Sequence, residues 1–179
     1  AYSDTTEQYI NVVALHDELL IDSGVMINDQ HPCSYGTYSI LNNHLLSDGD
    51  NNINVDLSHR DGTNATATTS VQKNINSDVY YFGADSYCSI GSSSVSFIAD
   101  ASNVFSDLHI DYDDDGRIDY KSSEASDGPT HIFSELGVHR VNAWFILSDG
   151  SQIKRSLYIV INSKEQLNGA LSQIWVSFR

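Results

Sequence analysis

The chain has 179 residues, 24 of them acidic and nine basic, and a formal net charge of −15 at pH 7. With 40% hydrophobic residues, 10% aromatics and two prolines, its composition is that of a folded globular protein and not of a disordered tail. The four Lys and five Arg never cluster along the sequence, which argues against a nucleic-acid partner, since nothing there neutralises a run of phosphates.

Nineteen of the acids are Asp and five are Glu, an imbalance that solubility alone does not require. A chain of this length forms one domain or two small ones and buries roughly 70% of its unfolded surface. Ala1 in place of Met is what removal of a leader peptide leaves, so the expected location is extracellular or at the cell surface. The longest apolar runs, 143–147 and 157–161, are strand-sized, far short of the roughly 18 residues that span a bilayer. The two cysteines, Cys33 and Cys88, have no CxxC spacing and no nearby His pair. In a leader-processed protein they read as one disulfide closing a loop of about 55 residues; two buried free thiols are the alternative.

In chain order, strands are predicted at 9–15, 19–27, 35–41, 53–57, 79–82, 94–99, 138–147, 153–161 and 174–178, rich in Val, Ile, Tyr and Phe. Turn clusters such as Ser47-Asp48-Gly49, Asp61-Gly62-Thr63 and Asp127-Gly128-Pro129 separate them. The segment 63–70, small and polar, is expected as an exposed loop or edge. Within it Asn64-Ala65-Thr66 is an N-glycosylation acceptor pattern, with a bare loop as the alternative. Ser148-Asp149-Gly150 predicts a tight hairpin between the strands at 141–147 and 153–161. A short helix is expected at 164–172, where Ser163 can cap and Glu165 and Gln166 suit a first turn. Many short strands without alternating helices predict an all-β, antiparallel immunoglobulin-like β-sandwich, as two small sandwich units or one enlarged one. The expected organisation is an N-terminal arm or strand over 1–30 that pairs with another subunit, a β-rich unit over 31–90, a sandwich over 91–163 and a helix and strand over 164–179.

The pattern that carries chemistry is Asp111-Tyr112-Asp113-Asp114-Asp115-Gly116-Arg117-Ile118-Asp119, with carboxylates at positions one, three, five and nine and Gly at six. A hard cation takes six to eight oxygens at about 2.3–2.6 Å, and a tight loop with an acid at every second residue wraps several around one ion while Gly permits the sharp turn. Asp111, Asp113, Asp115 and Asp119 are therefore expected to bind calcium, against the alternative of a solvated acidic turn. The pattern resembles the calcium loops found outside EF-hands in thrombospondin-type repeats, dockerins and integrin propeller blades. A looser copy places Asp48, Asp50, Asn52 and Asp56 at the same positions, but Ile53 stands where Gly would permit the turn, so a polar turn entering a strand is the alternative to a second calcium site.

From about Ser94 to Asn162 the order of features resembles a PKD (polycystic kidney disease) domain, a small immunoglobulin-like sandwich. Val95 to Ser102 stands for the first strand and Ile110 to Gly116 for the aromatic-Asp-aromatic-Asp-Gly-Asp-Gly stretch. His131-Ile132-Phe133 with Gly137-Val138-His139-Arg140-Val141 stands for the Thr-His-x-Phe/Tyr and Gly-x-Tyr-x-Val stretch, and Ser148 to Ser151 for the last hairpin. Asp114 replaces a family glycine and Ile110 the usual aromatic. The resemblance implies a non-catalytic spacer, adhesive or carbohydrate-associated module.

Seven histidines show no zinc spacing, and there is no GxSxG elbow, Walker loop or GxGxxG. Aromatic residues at 80–82 and 112–120 are expected as ordinary strand and core residues before sugar platforms. The expected function is a non-catalytic, calcium-stabilised subunit of an extracellular filament, pilus-like fibre or surface layer, its partners being copies of itself joined head to tail by strand addition. The alternatives are a carbohydrate- or protein-binding accessory module of a secreted hydrolase or adhesin, and a small secreted hydrolase whose paired carboxylates converge only in space.

Overall fold

In a computed structural model of the chain, residues 2–16, 24–58, 62–74, 78–123 and 128–163 are described. Their regular structure is all β, as the alternating apolar and polar pattern requires, and no helix among them is long and apolar enough to cross a membrane. The chain divides into two compact units, the first over Ala1–Ile75 and again from Asn162, the second over Asn76–Ile161.

The first unit contains β1 (Tyr2–Thr5), β2 (Tyr9–Leu15), β3 (Gly24–Ile27), β4 (Cys33–Tyr35), β5 (Tyr38–Leu45), β6 (Gly49–Ser58) and β7 (Asn64–Lys73). They form a four-stranded sheet in the order β1-β7-β6-β3 and a three-stranded sheet in the order β2-β5-β4. Val25, Ile27, Leu46, Ile53 and Val71 make the core, with Ile10, Val12, Ala14 and Leu41 packed against it. Asn28 and Asp29, both at positive φ, turn the chain between Ile27 and Gln30, whose backbone groups exchange two hydrogen bonds of 2.9 Å. Both are residue types that tolerate this left-handed conformation.

The second unit contains β8 (Tyr80–Ala84), β9 (Cys88–Ile90), β10 (Ser93–Ala101), β11 (Asp107–Asp111), β12 (Tyr120–Ser122), β13 (Thr130–Phe133), β14 (Gly137–Ile146) and β15 (Gln152–Asn162). A three-stranded sheet, β13-β10-β8, faces a five-stranded one, β12-β11-β14-β15-β9. Their inner faces meet in a core that includes Phe82, Val95, Phe97, Ile110, Val141, Phe145 and Leu157. Phe97 is its aromatic hub, with ring centroids 5.5 Å from Phe82, 5.4 Å from Tyr112 and 6.3 Å from Phe133. Each unit is thus an immunoglobulin-like β-sandwich, antiparallel except that β1 runs parallel to β7.

Several expectations change. Within the stretch expected as an N-terminal arm over 1–30, β1 pairs with β7, β2 with β5 and β3 with β6 inside the first unit. The division falls at 75/76 instead of 90/91, because β8 pairs with β10 and brings Tyr80 and Phe82 into the second core. The segment expected as an exposed loop or edge at 63–70 is mostly strand β7; its residues 64–68 are exposed and pair with β6 alone, an edge, and β1 joins only at 70–73. The helix and strand expected within 164–179 lie outside the described residues. The hairpin at Ser148-Asp149-Gly150 forms as expected, with Gly150 at positive φ and the Asp149 carboxylate accepting the N–H of Ser151 at 2.9 Å. Neither cysteine is free, and as the only two in the chain Cys33 and Cys88 form one disulfide. By loop-closure entropy it contributes about 4 kcal/mol.

Two predictions follow from the packing. At Gly128 an added Cβ would collide with the Phe97 carbonyl oxygen, which is backbone and cannot swing away. Gly128→Ala therefore destabilises the second unit by about 1–3 kcal/mol, read from denaturant melts. In the first unit His44 Nε2 accepts a hydrogen bond from the Asn28 amide at 3.1 Å, and the amide is held in that orientation because its oxygen accepts the N–H of Asn54 at 2.7 Å. Burial lowers the His44 pKa from its ordinary 6.5, so the unfolded chain takes up a proton that the folded chain resists. Stability present above pH 6.5 is accordingly lost as pH falls from 6.5 through the lower folded value, and His44→Gln removes that part of the pH dependence in thermal melts.

Candidate metal centre

Strand β11 carries Leu108 and Ile110 into the core and ends at Asp111, and β12 returns antiparallel to it. Residues 111–119 are thus the loop of a hairpin, closed by the Asp119 N–H donating to the Ile110 carbonyl at 2.9 Å. Tyr112 anchors the loop from within. It is 6% exposed and stacks on His131 with centroids 4.1 Å apart. Burial, with Tyr120 and Asp119 nearby, holds its phenol pKa far above the ordinary value.

Backbone N–H groups organise the carboxylates. The N–H of Asp113 (3.3 Å) donates to Asp111 Oδ1 and that of Gly116 (3.0 Å) to Asp111 Oδ2. Asp113 Oδ1 accepts from Asp115 at 3.3 Å, and Asp115 Oδ1 from Arg117 at 2.8 Å. The turn back requires left-handed backbone, with Asp114 at φ 58° and Gly116 at φ 83°. Asp114 is held there by its carboxylate, which accepts the amide of Asn142 and lies 3.8 Å from the Arg140 guanidinium. Asn142, fully buried on β14, in turn accepts the Ser156 hydroxyl at 2.7 Å.

Asp111, Asp113 and Asp115 consequently offer carboxylate oxygens within 4.8 Å of one another, with Asp111 buried and the other two exposed. Three carboxylates are a donor set for a hard cation, which water and backbone carbonyls can complete. Their crowding carries an electrostatic cost: desolvation first, then the charges of Asp115, Asp119 and Asp111, push the Asp113 carboxyl above its ordinary range. His131, behind Tyr112, has its pKa lowered by burial despite the opposing pull of Asp119 and Asp113.

Asp119 stands apart from this group, its Oδ2 accepting the Tyr112 N–H at 2.9 Å. The second set, Asp48, Asp50, Asn52 and Asp56, does not gather round a point. Asp50 to Asp56 lie along β6, where a rise of about 3.3 Å per residue sets the ends of that stretch about 20 Å apart. Their oxygens serve cross-strand bonds instead: Thr66 donates to Asp56 at 2.7 Å, Ser70 to Asn52 at 2.9 Å, and Lys73 to Asp48 at 2.7 Å. Asn64 is exposed at the start of β7, opposite Ser58. One Ser–His contact that the sequence does not signal, His16 Nε2 to Ser39 Oγ at 2.9 Å, has its serine fully buried and hydrogen-bonded to Ser34 as well. Tyr80, Phe82 and Tyr112 are core residues, as expected.

No family model and no curated protein matches the chain. Among solved structures it is similar to fibronectin(III)-like modules of Clostridium thermocellum CbhA, at 12% identity over 92% of this chain and 90% of that one, with a TM-score of 0.35. It is also similar to the D00-D0 domain of intimin, at 12% identity over 87% and 94%, TM-score 0.34. A Bacteroides ovatus protein, SGBP-B of a mixed-linkage glucan utilization locus, solved with a mixed-linkage heptasaccharide, matches at 11% identity over 90% of this chain and 42% of its own, TM-score 0.27.

The raised Asp113 pKa gives a test with two signs. Without divalent cation, the stability associated with protonated Asp113 is lost as pH rises through the folded value, so at pH 7 the charge is unfavourable. Asp113→Asn keeps an oxygen for the Asp115 N–H and removes the charge. Its melting midpoint at pH 7 rises above wild type in chelator, while the increment produced by added calcium shrinks; an unchanged increment would show that Asp113 is no ligand.

Proposed function

We propose that the chain is a non-catalytic structural or adhesive segment of an extracellular protein, built as two immunoglobulin-like sandwiches, the second of them PKD-like and stiffened by one calcium ion in the Asp111–Asp115 loop. The observation that carries this reading is the mutual reach of three carboxylates on a hairpin loop that turns back through left-handed backbone at Asp114 and Gly116. Calcium supplies charge neutralisation there, and Asp111, Asp113 and Asp115 hold it. The disulfide fits an oxidising compartment. In such a setting the chain works in series with other modules, as a unit of a filament, pilus-like fibre or surface layer. Donation of its N-terminal strand is not part of this reading, because β1 and β2 already pair with β7 and β5.

Thermal melts in calcium, in magnesium and in chelator test the proposal. Free calcium at 100 times its dissociation constant stabilises by about 2.7 kcal/mol, so the midpoint rises with calcium, less with magnesium, and not at all in Asp111→Ala. A midpoint indifferent to calcium would sink the reading.

A further inference from the structure

Cross-strand register sets four side chains in one transverse row on the outer face of the five-stranded sheet. Lys121 on β12 pairs with His109 on β11, His109 with Trp144 on β14, and Trp144 with Lys154 on β15. Directly paired residues share a face, so the row spans three strand spacings, about 14 Å. Both lysines are exposed and the rings are part-exposed, with the Lys154 ammonium 4.9 Å from the Trp144 ring centroid.

The lysines in this row differ from the other described lysine and arginines. Lys73, Arg117 and Arg140 each lie beside a carboxylate, of Asp48, Asp115 and Asp114 respectively. Arg155 donates to the carbonyls of Tyr80 and Lys154. Lys121 and Lys154 form no ion pair among the described residues, although acids outnumber bases 24 to nine in the chain. Two lysines with no carboxylate partner among the described residues, on either side of an imidazole and an indole, place positive charge on one face of a strongly negative protein.

We infer that this row binds an acidic polysaccharide, a chain of sugar rings bearing carboxylates. The lysines complement the carboxylates, and the Trp144 indole, under the Lys154 ammonium, holds that charge in place while its part-exposed edge remains open to the sugar. Gln152 and Ser156 flank the row on β15 and suit hydroxyl groups. A protein partner wants a broad apolar patch, which this polar surround does not supply, and a flexible acidic peptide would have to be ordered on binding. Asp107 and Asp111 border the row along β11: Asp111 is committed to backbone N–H groups, and Asp107 accepts the Ser106 hydroxyl at 3.2 Å. Both are opposing charges, of which Asp107 is the one not buried. The inference shares the extracellular setting of the proposed function but does not require calcium.

Isothermal titration of the intact, disulfide-bonded chain with hyaluronan oligosaccharides tests it, in chelator and again in calcium, beside neutral mixed-linkage glucan and polyglutamate. Hyaluronan binds in chelator and binds more weakly at high salt. The Lys121→Ala/Lys154→Ala double variant, at exposed positions that leave the core intact, weakens binding at least about tenfold. Trp144→Ala does likewise, and Asp107→Asn strengthens binding. Equal affinity for polyglutamate or for neutral glucan, no binding of hyaluronan, or wild-type affinity in the double lysine variant would each overturn the inference. Because binding in chelator is read apart from the calcium-dependent midpoint, failure here is distinguishable from failure of the calcium reading.

Discussion

A carboxylate held out of water governs the second sandwich. Asp111 is 1% exposed at the end of a strand whose preceding inward residues, Leu108 and Ile110, are core. A buried charge is costly unless hydrogen bonds or an opposite charge compensate it. Two backbone N–H groups from the following turn supply part of that compensation, which obliges the chain to fold back over Asp111 within five residues. Gly116 and Asp114 take the left-handed backbone this requires, and buried Asn142 holds Asp114 in place. The remaining charge density of the loop is what a divalent cation would neutralise.

The same loop explains how far the sequence is legible. Period-two oxygens occur at both 48–56 and 111–119, and only the second turns back on itself. In the first, Ile53 at the Gly position is fully buried in the first core, so the segment continues as strand and its oxygens point outward along it. Alternation of polar oxygens is thus the signature of a half-buried strand as much as of a metal loop, and the glycine separates the two. The Thr-rich segment at 64–70 lacks core-forming bulk, and its strand character comes from partners on β6, the side chains of Asn52, Asn54 and Asp56, which no local pattern reveals.

Strands with strong apolar alternation are legible to within a residue or two, as at β2, β14 and β15. The division into units is not, because it depends on β8 pairing with β10 across intervening chain. The Lys121–His109–Trp144–Lys154 row is invisible for the same reason: its members lie far apart in sequence and meet only through the register of four strands. Basic residues that never cluster along the chain therefore still converge on one face. Of the fifteen net negative charges, a bound calcium would cancel two. Others sit in turns such as Asp149-Gly150, where backbone geometry accounts for them.

Equilibrium dialysis against calcium, with the bound metal counted by atomic emission, tests the central claim most directly. The account predicts one calcium per wild-type chain and none in Asp111→Ala. No bound calcium in the wild type, or an undiminished count in Asp111→Ala, would contradict it.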